Sequence, residues 1–150
     1  MRRPPLPVAL LTSVLAFGPL VACGSEDDSS VPTVEGTGVE APATVQNLAP
    51  EEGATLIEQL GDALTVIDVR TPAEYAEGHL EGATNLDIEG GAFTAAIADL
   101  PRDEPYVVYC RSGRRSSAAA QAMIDAGFTD VYDLGAITDW IGAGLPVVTD

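Results

Sequence analysis

The sequence predicts an α/β fold: one domain with a mainly parallel central sheet flanked by helices. Three observations carry that expectation. From about Ala43 to Asp150, short apolar runs alternate with stretches of helical spacing. The runs at 63–69 and 106–109 are rich in apolar and β-branched residues, as strands buried on both faces are. The chain has 150 residues and no visible internal repeat, which suits one domain.

The elements follow in order. Residues 1–22 read as a leader: Arg2 and Arg3 supply a positive start, and Val8 to Leu20 is nearly all apolar. That run is too short to span a bilayer as a helix and matches the core of an export signal. No twin-arginine motif surrounds Arg2-Arg3, so the general export route is expected. Leu20-Val-Ala-Cys23 follows and resembles the lipobox of bacterial lipoproteins. The resemblance implies cleavage before Cys23 and its acylation, and two acyl chains form a stable anchor where one is marginal. Residues 23–42 then read as the lipidated cysteine and a flexible acidic linker, rich in Ser, Gly, Pro and acid. Such a chain spans about 25 Å root-mean-square. The expected location is therefore the cell envelope, outside the cytoplasm.

Within 43–150, Val45 to Leu48 suggests an edge strand. Pro50 to Leu60 predicts a helix, with Pro50-Glu51-Glu52 as a favourable first turn. Residues 63–69 predict a strand, and 83–86 a weaker one. Gly91 to Leu100 places Phe93, Ile97 and Leu100 at helical spacing. Tyr106 to Tyr109 predicts a strand bounded by Pro105. Ser116 to Ala126 is rich in alanine and stops at Gly127, as a helix does. Val131-Tyr132 suggests one more strand. Met123, Phe128 and Trp140 read as core, while Glu51, Glu52, Glu74, Glu77 and Glu81 read as solvated.

The charge narrows the function. The chain carries 23 acidic residues against 7 basic ones, a net charge of −16, and every basic residue is arginine. Removing residues 1–22 takes away two arginines and no acid, so the mature chain is more negative still. That argues against nucleic acid and against electrostatic docking on anionic lipid. One histidine, with neither paired cysteines nor paired histidines at ligand spacing, argues against a metal.

Against this background the stretch YCRSGRRSS, 109–117, stands apart. Arg111, Arg114 and Arg115 crowd behind Cys110. Once Cys23 is acylated, Cys110 is a lone thiol outside the cytoplasm, where unused thiols oxidise. A strand before Cys110 and a helix from Ser116 make 110–115 a strand-to-helix loop at the carboxyl edge of the sheet, where open α/β sheets place ligands. A helix N-terminus favours anions, and Gly113 lets successive N–H groups converge. These features favour a thiolate over a thiol. Two chemistries use such a loop: phosphate-ester or arsenate chemistry, and transfer of sulfane sulfur. Four residues separate Cys110 from Arg115; phosphatase-type loops carry one more and are wider.

Cys110-Arg-Ser-Gly-Arg-Arg-Ser116 resembles the active loop of single-domain rhodaneses, the thiosulfate sulfurtransferase family. Asp68-Val-Arg-Thr-Pro-Ala-Glu-Tyr75, Gly78-His-Leu-Glu-Gly-Ala-Thr-Asn85 and Val131 to Trp140 resemble three further segments of that family, in the family's order. One departure is Gly135-Ala136, where two glycines are common. The resemblance implies a rhodanese-like fold and a catalytic pair, Cys110 as the persulfide-bearing nucleophile and Arg115 as the loop-closing residue. It implies a substrate cradle from the N–H groups of Arg111, Ser112, Gly113, Arg114, Arg115 and Ser116. Asp68 and Arg70 are assigned a supporting framework, with Arg70 able to pair with Glu74, and His79 a packing role. The implied donor is a small anionic sulfur compound such as thiosulfate, and the acceptor a thiol or cyanide, with no cofactor. A sulfur carrier or binding module serving a partner protein is the alternative, and an arsenate reductase or phosphatase a more remote one.

Overall fold

The computed structural model of the chain describes residues 42–149. The leader, Cys23 and nearly all of the predicted linker lie outside them. In chain order the elements are β1 (Gln46–Asn47), α1 (Pro50–Leu60), a short 3₁₀ turn, β2 (Thr65–Asp68), α2 (Pro72–Glu77), β3 (Thr84–Asn85), α3 (Ala92–Ala98), β4 (Pro105–Cys110), α4 (Arg114–Asp125), β5 (Asp130–Ala136) and α5 (Ile137–Gly142). Among the described residues no helix is long and apolar enough to cross a membrane.

The five strands form one sheet in the order β1-β5-β4-β2-β3, and every pairing is parallel. The central strand β4 is therefore covered on both faces. Its side chains alternate between them, as strand geometry requires. Tyr106, Val108 and Cys110 face α3 and α4, packing with Phe93, Ile97, Ala119, Ala120 and Met123. Val107 and Tyr109 face the other way, toward α1 and α5, with Leu134, Ile137 and Trp140. Full burial of each such valine contributes about 1.5–3 kcal/mol. Met123, Phe128 and Trp140 are core residues, as the sequence predicts. Trp140 also donates its indole N–H to Pro146 O at 2.9 Å.

Two helices were not expected. α2 has six residues, too few to show a period, but Thr71 and Glu74 cap it reciprocally and Pro72 opens it. α5 begins directly where β5 ends, with no turn residue between them. Helix α4 also starts earlier than predicted, at Arg114 rather than Ser116. Its N-cap is Gly113 in the left-handed region, φ 88°. Arginine signals no helix start in sequence, whereas Gly113 takes this backbone shape at little cost.

A bulge in β5 shapes the edge where the site lies. Val108 pairs with Asp133, but Tyr109 pairs with Gly135, so Leu134 is extra. Gly135 has φ 75°, and its N–H donates to Asp133 Oδ1 at 2.9 Å. Ala136, at φ −98° and ψ 126°, is ordinary extended backbone. The second glycine of the family pattern is thus not needed here for backbone shape. His79 lies in a bridge to Val148, stacked on Tyr75 at 3.7 Å between ring centroids.

Candidate active site

Parallel strands bring their carboxyl ends to one edge. Asp68 ends β2, Cys110 ends β4 and Ala136 ends β5, and β4 lies between the other two. This register alone gathers the DVR segment, the cysteine loop and the β5 corner. Cys110 is fully buried at the base of the loop. The Gly113 N–H donates to its Sγ at 3.1 Å.

Burial by itself would push the Cys110 thiol up, yet its pKa is lowered. The opposing causes are hydrogen bonds from the Ser116 N–H and hydroxyl and from the N–H groups of Ser112 and Gly113. Charge on sulfur is therefore held mainly by backbone amides converging at the start of α4. The Ser116 hydroxyl lies within reach of Gly113 O at 2.9 Å and Gly135 O at 3.3 Å. With one proton and several acceptors, it can follow the charge state of the sulfur.

The three loop arginines divide into different roles. Arg111 and Arg114 are exposed. Among the described residues neither guanidinium makes an ion pair or side-chain hydrogen bond. Arg115 is held: its two terminal nitrogens bind the two oxygens of Glu74 at 2.8 Å each, and Nη1 also reaches Glu89 at 3.0 Å. Two arginines in the first turn oppose the helix dipole, which prefers acid there. Glu74 and Glu89 offset that from neighbouring elements.

Two expectations are corrected at this point. Arg70 does not pair with Glu74; it folds back on Asp68, with Nη2 to Oδ2 at 2.7 Å. Nη2 also donates to Gly78 O at 2.6 Å. The reason is reach: Asp68 is two residues away on the same strand end, and both side chains are buried there. Glu74 is not on a solvated face, because α2 turns it toward Arg115. Glu89 and Thr138, whose hydroxyl donates to Arg111 O at 3.3 Å, had no role in the sequence reading. The Thr71-x-x-Glu74 capping signature was the available signal for Glu74. Asn85 joins the framework, donating to Asp68 O and Arg70 O at 3.1 and 2.8 Å.

The Glu74–Arg115 pair makes a prediction. Its hydrogen bond from Arg115 holds the Glu74 carboxyl down to about 2, against the cost of burial. A carboxyl depressed on folding stabilises the fold fully above its unfolded pKa of about 4.3. That contribution is lost as pH falls through the folded value. Glu74→Gln therefore flattens the acid limb of the stability curve between about pH 4.5 and 2, read by urea midpoints against pH. An acid limb identical to the parent's refutes this pair as a stabilising contact.

One cavity, about 570 Å³, lies at the other end of the sheet by the start of β2 and β3, with Asp62 and Glu81 in its wall. An anion is not favoured there. A second cavity, about 410 Å³, has Arg70, Arg111 and Thr138 in its wall, and so adjoins the loop.

Comparison with known proteins agrees with this geometry. The model of the rhodanese-like domain matches residues 50–143. A thiosulfate sulfurtransferase, GlpE, from Pseudomonas aeruginosa is 41% identical over 91 residues, covering 61% of this chain and 78% of its own. A sulfurtransferase from Allochromatium vinosum is 34% identical over 100 residues, covering 65% and 92%. The crystal structure of a rhodanese-related protein from Thermoplasma volcanium superposes with a TM-score of 0.59 at 30% identity, covering 70% of this chain and 99% of the other. The family match runs from α1 through the Cys110 loop to α5, and the chain belongs to the rhodanese-like domain family.

Proposed function

We propose that the chain is a sulfurtransferase that carries sulfane sulfur on Cys110, drawn from thiosulfate or a related persulfide donor and passed to a thiol or cyanide. The observation that carries this reading is the sulfur of Cys110, ringed by N–H donors at the start of α4 and lowered in pKa. The Cys110 thiolate attacks the outer sulfur of thiosulfate. The donor S–S bond breaks and its electron pair leaves with sulfite. The new persulfide anion then takes the place of the thiolate before the same N–H groups. An acceptor nucleophile attacks its terminal sulfur, and the electron pair of that S–S bond returns to Cys110. No general base is required, because the thiolate is already the nucleophile. Arg111, exposed at the loop, suits attraction of the incoming dianion. Arg115, Arg114, Ser112 and Gly113 act through the shape and charge of the loop.

The test is intact mass. Treatment with thiosulfate should add one sulfur atom, located on Cys110 by peptide mapping. A chain that takes up no sulfur, or takes it up elsewhere, overturns the proposal. Turnover of thiosulfate and cyanide without any added protein separates an enzyme from a carrier that needs a partner.

The same proposal includes export and a lipid anchor, supported by the apolar run 8–20 and by Leu20-Val-Ala-Cys23. The full chain should partition with membranes. Cys23→Ala should either block processing or yield a soluble product. Finding the native protein wholly in the soluble fraction rules the anchor out.

A further inference from the structure

Apart from Arg111, the groups lining the cavity beside the loop have no part in the sulfur-loading chemistry. Its wall includes Arg111, Thr138, Ile137, Ile141, Val147 and Glu77. Ile141 is 52% exposed and Val147 38%, and these are two of the three large apolar side chains left exposed among the described residues. A soluble domain rarely leaves bulky aliphatic residues together at the rim of a concave site without use.

The charges in this cavity are ordered. Arg111 follows Cys110 directly, and Thr138 bonds to its carbonyl, so this end adjoins the loop. Glu77 ends α2 next to Gly78. A Cβ on Gly78 would lie 3.6 Å from Val147, and His79 bridges to Val148. Glu77 and Val147 therefore lie together, one turn of α2 beyond Glu74, which binds Arg115 of the loop. Among the described residues, Glu77, like Arg111, makes no ion pair or side-chain hydrogen bond. Arg70 and Glu74 also line the wall but are already paired with Asp68 and Arg115, so its unpaired charges are a cation on the loop residue next to Cys110 and the Glu77 carboxylate, with an aliphatic wall beside them.

Resting on the sulfur-transfer reading, we infer that this cavity is the acceptor subsite, and that it takes a small peptide-like thiol with a carboxylate near its sulfur, an aliphatic middle and an ammonium at its far end. The carboxylate meets Arg111, the aliphatic part packs on Ile141 and Val147, and the ammonium meets Glu77. A volume of about 410 Å³ suits a ligand of that size. The acceptor thiolate attacks the terminal sulfur of the Cys110 persulfide. A new S–S bond forms on the acceptor, the bond to Cys110 breaks, and its electron pair stays on Cys110. The acceptor leaves as its own persulfide, and no other oxidant or reductant takes part. Cyanide is too small to use the cavity, and this makes the two acceptors distinguishable.

The probe is the dipeptide leucylcysteine. Its S-methyl form, which cannot accept sulfur, is titrated into the full chain in mild detergent by calorimetry. Acetylating the probe's amine should weaken binding about fivefold, the scale of one exposed charge pair. In Glu77→Gln the same acetylation should cost nothing further. Amidation of the probe's carboxylate should couple to Arg111→Gln in the same way, and Ile141→Asp should weaken every probe. In turnover with free leucylcysteine, Glu77→Gln and Ile141→Asp should raise KM for the dipeptide more than KM for cyanide. Absence of binding to the parent chain, losses that add without coupling, or equal changes in both KM values overturn the subsite. Thermal unfolding checks that each variant is folded. Failure of Cys110 to gain sulfur from thiosulfate is a separate result that overturns the transfer reading, because the S-methyl titration does not involve transfer.

Discussion

On the proposed function, Cys110→Ser should reduce thiosulfate–cyanide sulfur transfer to background, a loss of at least about a thousandfold, as expected when a covalent nucleophile is removed. Among the described residues the partners of the Cys110 sulfur are backbone N–H groups and the Ser116 hydroxyl, none of them a base for a serine proton. The one histidine, His79, is buried against Tyr75 and bonds Tyr75 O through Nδ1 at 3.0 Å. Tyr75 packs with the cluster around Tyr109, on the face of the sheet opposite Cys110. The loop amides that favour a thiolate cannot ionise an alcohol to a comparable extent, because its intrinsic pKa is far higher. The fold should survive, since the hydroxyl accepts from the same N–H donors. The check is steady-state turnover together with a thermal melt. A folded serine variant that retains a tenth of the parent rate removes Cys110 from the mechanism.

Asp68→Ala lowers stability by about 3–5 kcal/mol, the cost of leaving one member of a buried pair alone. For a domain of this size that is a fall in Tm on the order of 10 °C or more. Asp68 is fully buried and Arg70 is 5% exposed. The Asp68 carboxylate accepts from Arg70 N at 2.8 Å and from its Nε and Nη2 at 3.0 and 2.7 Å. Burial lowers the Arg70 pKa, but the hydrogen bond and charge of Asp68 outweigh it and the net shift is upward. Without Asp68, Arg70 keeps Gly78 O and its stacking 5.7 Å from the Tyr109 ring, which leave the charge uncompensated. The double variant Asp68→Ala/Arg70→Met should be less damaged than the single, because no buried charge is then left alone. Urea denaturation of the three variants decides it. A single variant within about 1 kcal/mol of the parent, or a double variant worse than the single, contradicts this reading of the pair.

Much of this architecture is readable in one dimension. The apolar β-branched runs of β2 and β4 announce a sheet buried on both faces, because only a parallel arrangement with helices on each side hides such strands. The alternation of strand and helix then makes the strand order a small choice. The Cys110 loop is legible because positive charge is scarce elsewhere, and because a strand, a glycine and a helix placed around a thiol have a known electrostatic consequence. The short elements are another matter. α2, with six residues, carries no period, and α5 lacks any start signal. Such segments form because the rest of the fold presents a surface to them, not through propensity of their own.

The sequence by itself determined the parallel α/β class and the carboxyl-edge position of the Cys110 loop, since these follow from local composition and chain direction. Only the tertiary structure decided the partners of the charges. Arg70 takes Asp68 and not Glu74; Arg115 takes Glu74 and Glu89; Arg111 is left to face the cavity it shares with Glu77. Several arginines and many carboxylates permit numerous pairings in one dimension. A salt bridge needs atoms within about 4 Å, and that distance is set by strand register and helix docking across tens of residues. Hydrophobic periodicity is a local signal that the chain repeats. Charge pairing is a single long-range coincidence, and it exists only once the backbone has brought both ends to the same place.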